Sequence, residues 1–179
     1  MQPWFKATER FDPSAGEQWA SYIAWSGLTQ LDELVSLDEL LCPDAIDGIP
    51  DGYWEHRPAT ERSLFGCIVT SLPFLLSHLV DRGNSNVLAL FLDCDEPGLT
   101  RAEGFRFEFL GYDLVERGGS ISALSNCGGY PDVFANAELS SKGLLVSAKR
   151  AREVQALLRQ RHPKEAHADC DLWAIYRAV

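Results

Sequence analysis

The stretch FRFEFLGYDLVERGGSISALSNCGGYP, residues 105–131, decides the fold. Phe105, Phe107 and Phe109 alternate with Arg106 and Glu108, the two-residue period of a strand whose aromatic face is turned to a core. Residues 111–116 read as a second strand and residues 121–124 as a third. Between them, Arg117-Gly118-Gly119-Ser120 reads as a hairpin turn, because paired glycines accept positive φ. The strands run into Ser125-Asn126-Cys127-Gly128-Gly129, a loop able to present backbone amides to an anion, an oxyanion or a partner's backbone. The same residue types also make a plain turn.

Outward from this segment, VLALFL at 87–92 is a continuous apolar run between Gly83-Asn84 and Asp93, the pattern of a central strand buried on both faces. Asp93, Asp95 and Glu96 follow it. Carboxylates gathered at a strand end suit a divalent cation or acid–base work, and a solvated turn closed by Pro97-Gly98 accounts for them equally. Residues 17–28 place Trp19, Tyr22, Ile23 and Ser26 at helical steps, with cap chemistry at Asp12-Pro13-Ser14 and a stop at Gly27. Trp19, Tyr22 and Trp25 are expected to pack in the core.

Residues 147–160 predict a helix with Ala148, Ala151, Val154, Leu157 and Leu158 on one face, opposite Lys149, Arg150, Arg152 and Arg159. Residues 172–178 predict a final strand. From Leu64 to Leu79 the apolar spacing is helical, but Pro73 interrupts it. Either a strand at 64–70 precedes a helix with Pro73 in its first turn, or one helix kinks there. The run is too short to span a membrane, and His78 within it reads as a buried imidazole. Residues 30–62 are acidic and turn-rich, ending in an aromatic tip at Tyr53 and Trp54 that either clamps a ligand or pins a surface excursion. These elements predict one α+β domain over residues 1–179, with a mixed or mainly antiparallel sheet and helices packed on one face.

Charge and composition narrow the function. The net charge of −10 over 179 residues argues against nucleic-acid binding, which relies on clustered Lys and Arg. It favours a basic protein partner, although acidity also serves solubility. The first residues lack a signal-peptide pattern, so a cytoplasmic location is expected. Five cysteines without a Cys-x-x-Cys pair read as reduced thiols. His162, His167 and Cys170 are residue types that suit zinc, at a spacing that matches no standard site. No dinucleotide or phosphate-binding loop is present, so no cofactor is expected. An enzymatic alternative makes Cys127 the nucleophile of a hydrolase or transferase, activated by His78, His162 or His167 and oriented by Asp113 or Asn126.

The segments FEFLGYDLVE, ISALSNCGGYPDVF and HADCDLWAIYRAV resemble small bacterial proteins of the polymorphic-toxin immunity type. The resemblance covers about the C-terminal half and transfers no functional residue. It implies a small acidic cytoplasmic protein that acts by occupying a toxin surface. The leading expectation is therefore a non-enzymatic binding domain, with Tyr53, Trp54, Asp93, Asp95, Glu96, Tyr112, Asn126 and Tyr130 as contacts. A structural or assembly subunit is the third possibility.

Overall fold

In the computed structural model, which describes residues 2–49, 67–95, 98, 101–117, 121–126 and 129–179, strands β1 (Trp4–Glu9), β2 (Ser85–Leu92), β3 (Arg101–Ala102), β4 (Phe105–Glu116) and β5 (Cys170–Ala178) accompany helices α1 (Glu17–Ser26), α2 (Leu72–Ser77) and α3 (Ala148–Arg161). The strands form one sheet in the order β1-β2-β5-β4-β3, and each neighbouring pair is antiparallel. This is the expected α+β architecture. The last strand of the chain is the middle strand of the sheet, and Leu172 to Tyr176 are buried without a break. No helix among the described residues is long and apolar enough to cross a membrane.

The local grammar explains the helices. Gly27 ends α1 in the left-handed region at φ +69°, and the Ser147 hydroxyl caps α3 by accepting from Arg150 N. Pro73 stands in the first turn of α2 behind the cap Ser71, so the helix starts at the proline instead of bending around it. Asp12 does cap, but it caps a 3-10 turn at Pro13–Ala15; α1 itself starts at Gly16 without a side-chain cap.

Residues opposite one another in register share a sheet face, and the two faces differ in chemistry. One carries Phe5 and Ala7 of β1, Ala89 and Phe91 of β2, Leu172, Ala174 and Tyr176 of β5, and Tyr112 and Leu114 of β4. These join a core cluster with Trp19 and Tyr22 of α1 and Ala151, Val154 and Leu158 of α3. The other face mixes Trp4, Leu88, Leu90, Trp173 and Ile175 with Lys6, Asn86, Asp113 and Arg177. The irregular acidic segment reaches both faces: Val35 and Leu37 pack into the apolar cluster of the second, while Leu31, Leu34, Cys42 and Ala45 join the first.

Several expectations are corrected. The two strands read at 105–109 and 111–116 are one strand, β4, whose register with β5 shifts between Phe109 and Gly111. Both phenylalanines precede that bulge and share a face, Phe107 opposite Ala178 and Phe109 opposite Tyr176, yet Phe109 is 38% exposed while Phe107 is buried. Residues 121–124 form no strand; Ser122 makes an isolated bridge to Val115 and residues 123–125 turn. Trp25 lies 55% exposed rather than in the core. The strand β1, which had no sequence reading, pairs with β2 along its whole length.

Candidate functional site

The expected contact loop rests on a buried polar network. Asp113, on the mixed face of β4, accepts at Oδ2 from Ser36 Oγ (2.8 Å) and Leu37 N (3.0 Å), and at Oδ1 from Ser122 Oγ (2.6 Å) and Leu114 N (2.8 Å). Asp38 accepts at Oδ2 from Ser122 N and Asn126 Nδ2, and at Oδ1 from Leu40 N and Leu41 N. Ser125 Oγ closes the network on Ser36 Oγ at 3.2 Å. Both carboxylates are essentially fully buried. Burial pushes the Asp113 carboxyl above its ordinary range despite its four donors, with the nearby Asp38 charge adding to the rise. The network fastens the acidic segment to the loop at 122–126.

The residues assigned to a cysteine enzyme divide into separate groups. Asp113 hydrogen-bonds to serine hydroxyls and backbone amides, with no histidine among its described partners. Asn126 is committed to Asp38. His78 bonds through Nδ1 to Phe74 O and Ser77 Oγ and stacks on Phe74, all within or beside α2. His162 and His167 do converge, on the ring of Tyr130, at centroid distances of 4.7 and 5.8 Å. His162 lies 3.2 Å from both Glu165 and Asp132. His167 Nδ1 sits 3.0 Å from Glu116 Oε1 but out of line for a hydrogen bond. Cys127, Tyr53, Trp54 and Glu96 lie outside the described residues.

Burial raises the thiols of Cys42, Cys67 and Cys170 to about 12, so these remain protonated. Among the described residues no three His, Cys, Asp or Glu side chains are placed to hold a metal ion. The His162, His167, Cys170 series therefore forms no zinc site.

The expected contact surface also changes. Tyr112 and Tyr130 are 4% and 6% exposed and belong to the core. Their hydroxyls are engaged, with Tyr112 donating to Asp95 O and Tyr130 to Glu165 Oε2 at 2.6 Å. Asp93 and Asp95 are surface residues, but Arg152 reaches both at 2.9 Å and offsets one of the two charges. The acids of residues 32–44 are likewise occupied: Glu33 binds Arg177 and Lys142 at 2.6 and 3.0 Å, and Glu39 and Asp44 bind the fully buried Lys6.

A surface whose carboxylates form no ion pair among the described residues lies where β1 leads into α1. An open groove of about 530 Å³ separates the junction of β1 and α1 from residues 40–43. Glu9, Ser14 and Gln18 line it from the first and Leu40, Leu41 and Pro43 from the second. Glu9 and the flanking Asp12 and Glu17 have no ion-pair partner within 4 Å among the described residues. Arg10 also lines the groove and its field reaches Asp12. Leu40 is 74% exposed. Sequence reading missed this surface because Glu9 and Leu40 are 31 positions apart and carry no shared motif. No family model, curated protein or solved structure matches the chain.

Proposed function

We propose that this chain is a non-enzymatic, cytoplasmic protein-binding domain of the immunity type, which occupies a basic partner, a toxin, through the groove between the β1–α1 junction and residues 40–43. The observation that carries this reading is an exposed apolar anchor, Leu40, lining one groove with the ion-pair-free Glu9, while Asp12 and Glu17 follow Glu9 along the chain. Productive interfaces combine a desolvated anchor with a polar rim, and acidic rims speed encounter with a basic surface. The net charge of −10 has the same sign.

The test is site-specific photocross-linking in the native cell. A photoreactive residue at Leu40 should capture a basic protein, and the same residue at Val146, which is 64% exposed, should not. Reversal of Glu9 and Glu17 to Lys should slow the capture and lower its yield. Equal yields from Leu40 and Val146, or no adduct at Leu40, would overturn the proposal.

One observation favours a second reading, a cysteine-dependent hydrolase or transferase. His162 and His167 both pack on Tyr130, three residues along the chain from Cys127, and each has a carboxylate within 3.2 Å. Selective alkylation of Cys127 in the folded protein, lost in His162→Gln, would support it. Labelling of Cys127 no faster than that of a free thiol would eliminate it.

A further inference from the structure

The apolar face of the sheet is left incompletely covered where β2 begins and β5 ends. Val87 of β2, Ala178 of β5 and Phe105 of β4 stand there on one face, with Leu76 of α2 and Leu79 just beyond it alongside. All five side chains are only partly buried, although each packs against the main core cluster. They line an open pit of about 220 Å³. Two arginines, Arg10 and Arg82, stand at the same pit. Among the described residues neither guanidinium has an ion-pair or hydrogen-bond partner. Ser85 and Val179 complete the lining, and Ser85 Oγ donates to Asp81 O.

We propose that this pit is a binding site for a small amphipathic anion, an aliphatic body carrying one carboxylate. The apolar walls remove the body from water at about 25 cal/mol per Å² of apolar surface. Guanidinium is the side chain best suited to grip a carboxylate, through two parallel hydrogen bonds. A cationic rim in a chain of net charge −10 runs against the overall field, so the selectivity for an anion is local to the pit. The volume is below that of sites for drug-sized ligands, which fits a short aliphatic acid or the carboxyl-terminal residue of another chain. The pit shares Arg10 with the groove, but Arg82, Leu76 and Phe105 do not line the groove, so Arg82→Ala distinguishes the two sites.

The experiment is a titration of the isotope-labelled full chain, followed by amide chemical shifts, with octanoate, N-acetyl-leucine, octan-1-ol and octylamine as probes. Octanoate should give saturable shifts at Leu76, Leu79, Val87 and Ala178, and Arg82→Ala should weaken it about tenfold, the scale of one charged hydrogen bond. Octan-1-ol should bind correspondingly more weakly and octylamine not at all. Saturation by N-acetyl-leucine but not octanoate identifies a chain end as the source of the carboxylate. Octan-1-ol binding as tightly as octanoate, an unchanged affinity in Arg82→Ala, or absence of saturable shifts with both acids would each overturn the site.

Discussion

Gly111→Ala tests the central feature of the sheet, the bulge that places Asp113 over the acidic segment. Gly111 lies at φ +145°, outside the range that L side chains readily adopt. A Cβ there would stand 2.7 Å from Leu144 Cβ and 2.8 Å from Leu145 O. Neither neighbour has room to retreat. Leu144 is fully buried, and Leu145 O is the acceptor for Tyr112 N at 2.8 Å, in a bridge returned by Leu145 N to Tyr112 O at 3.1 Å. Relief therefore requires opening that bridge or displacing Leu144 from the second cluster. Overpacking of this kind costs about 1–3 kcal/mol, and the backbone strain adds about 1–2 kcal/mol. Urea denaturation should show a loss of about 4 kcal/mol with an unchanged m-value, and thermal melting should fall by roughly 10 °C. Hydrogen exchange at Tyr112 and Leu145 should accelerate beyond the global change. A loss under about 1 kcal/mol, or uniform exchange, would refute the close-approach account of this glycine.

Two further perturbations address the polar face. Asp44→Ala takes one carboxylate from the fully buried Lys6 ammonium, which keeps Glu39 at 3.4 Å among its partners, whereas Lys6→Met leaves an Asp44 side chain that is 21% exposed and still accepts from Cys67 N. Chemical denaturation should therefore be asymmetric, about 3 kcal/mol for Asp44→Ala and under about 1 kcal/mol for Lys6→Met; equal losses would show that the buried charge is not what sets the cost. Asp113→Ala strands the N–H groups of Leu37 and Leu114, a loss of about 3 kcal/mol. Because burial raises the Asp113 carboxyl, the folded chain holds that proton more tightly than the unfolded chain. The group's contribution is complete below the unfolded pKa and is lost as pH rises through the raised folded value. The Asp113→Ala deficit, measured in urea across the acid range, should narrow as pH rises through that value; a deficit that widens would reverse the assignment.

The helices and the strands β2 and β5 were legible because their signals are local. The spacing of Ala151, Val154 and Leu158, the Ser147 cap, the Gly27 stop and the unbroken run at 87–92 each lie within a few residues. β1 was not legible, for its second face places Lys6 and Thr8 at fully buried positions that a binary pattern assigns to solvent. Phe109 keeps the phase of Phe107, and its 38% exposure reflects how far the core cover extends over that face, which no local pattern encodes. The acids of residues 32–44 looked like a solvated excursion. Their partners are remote, with Glu33 and Arg177 separated by 144 positions and Ser36 and Asp113 by 77, so no spacing in the sequence connects them.

The internal pairing bears directly on how an acidic chain of this kind can recognise a basic partner. Glu33, Glu39 and Asp44 neutralise Lys6, Lys142 and Arg177, while Asp93, Asp95, Glu138 and Asp171 meet Arg152, Arg150 and Arg117. Charge spent in this way fixes the fold and contributes little field outside it. Glu9, Asp12 and Glu17, which have no such partner and stand together where β1 leads into α1, supply the local excess. Glu9 and Glu17 are solvent-exposed and Asp12 is partly so, and a close unit-charge pair in water contributes only about 1 kcal/mol and is screened by salt. Such groups raise the rate of encounter more than they hold a complex. Residence in the groove must then depend on removing Leu40 and its apolar neighbours from water, which is why the apolar wall, and not the acidic composition, is the part of the proposed interface that sets affinity.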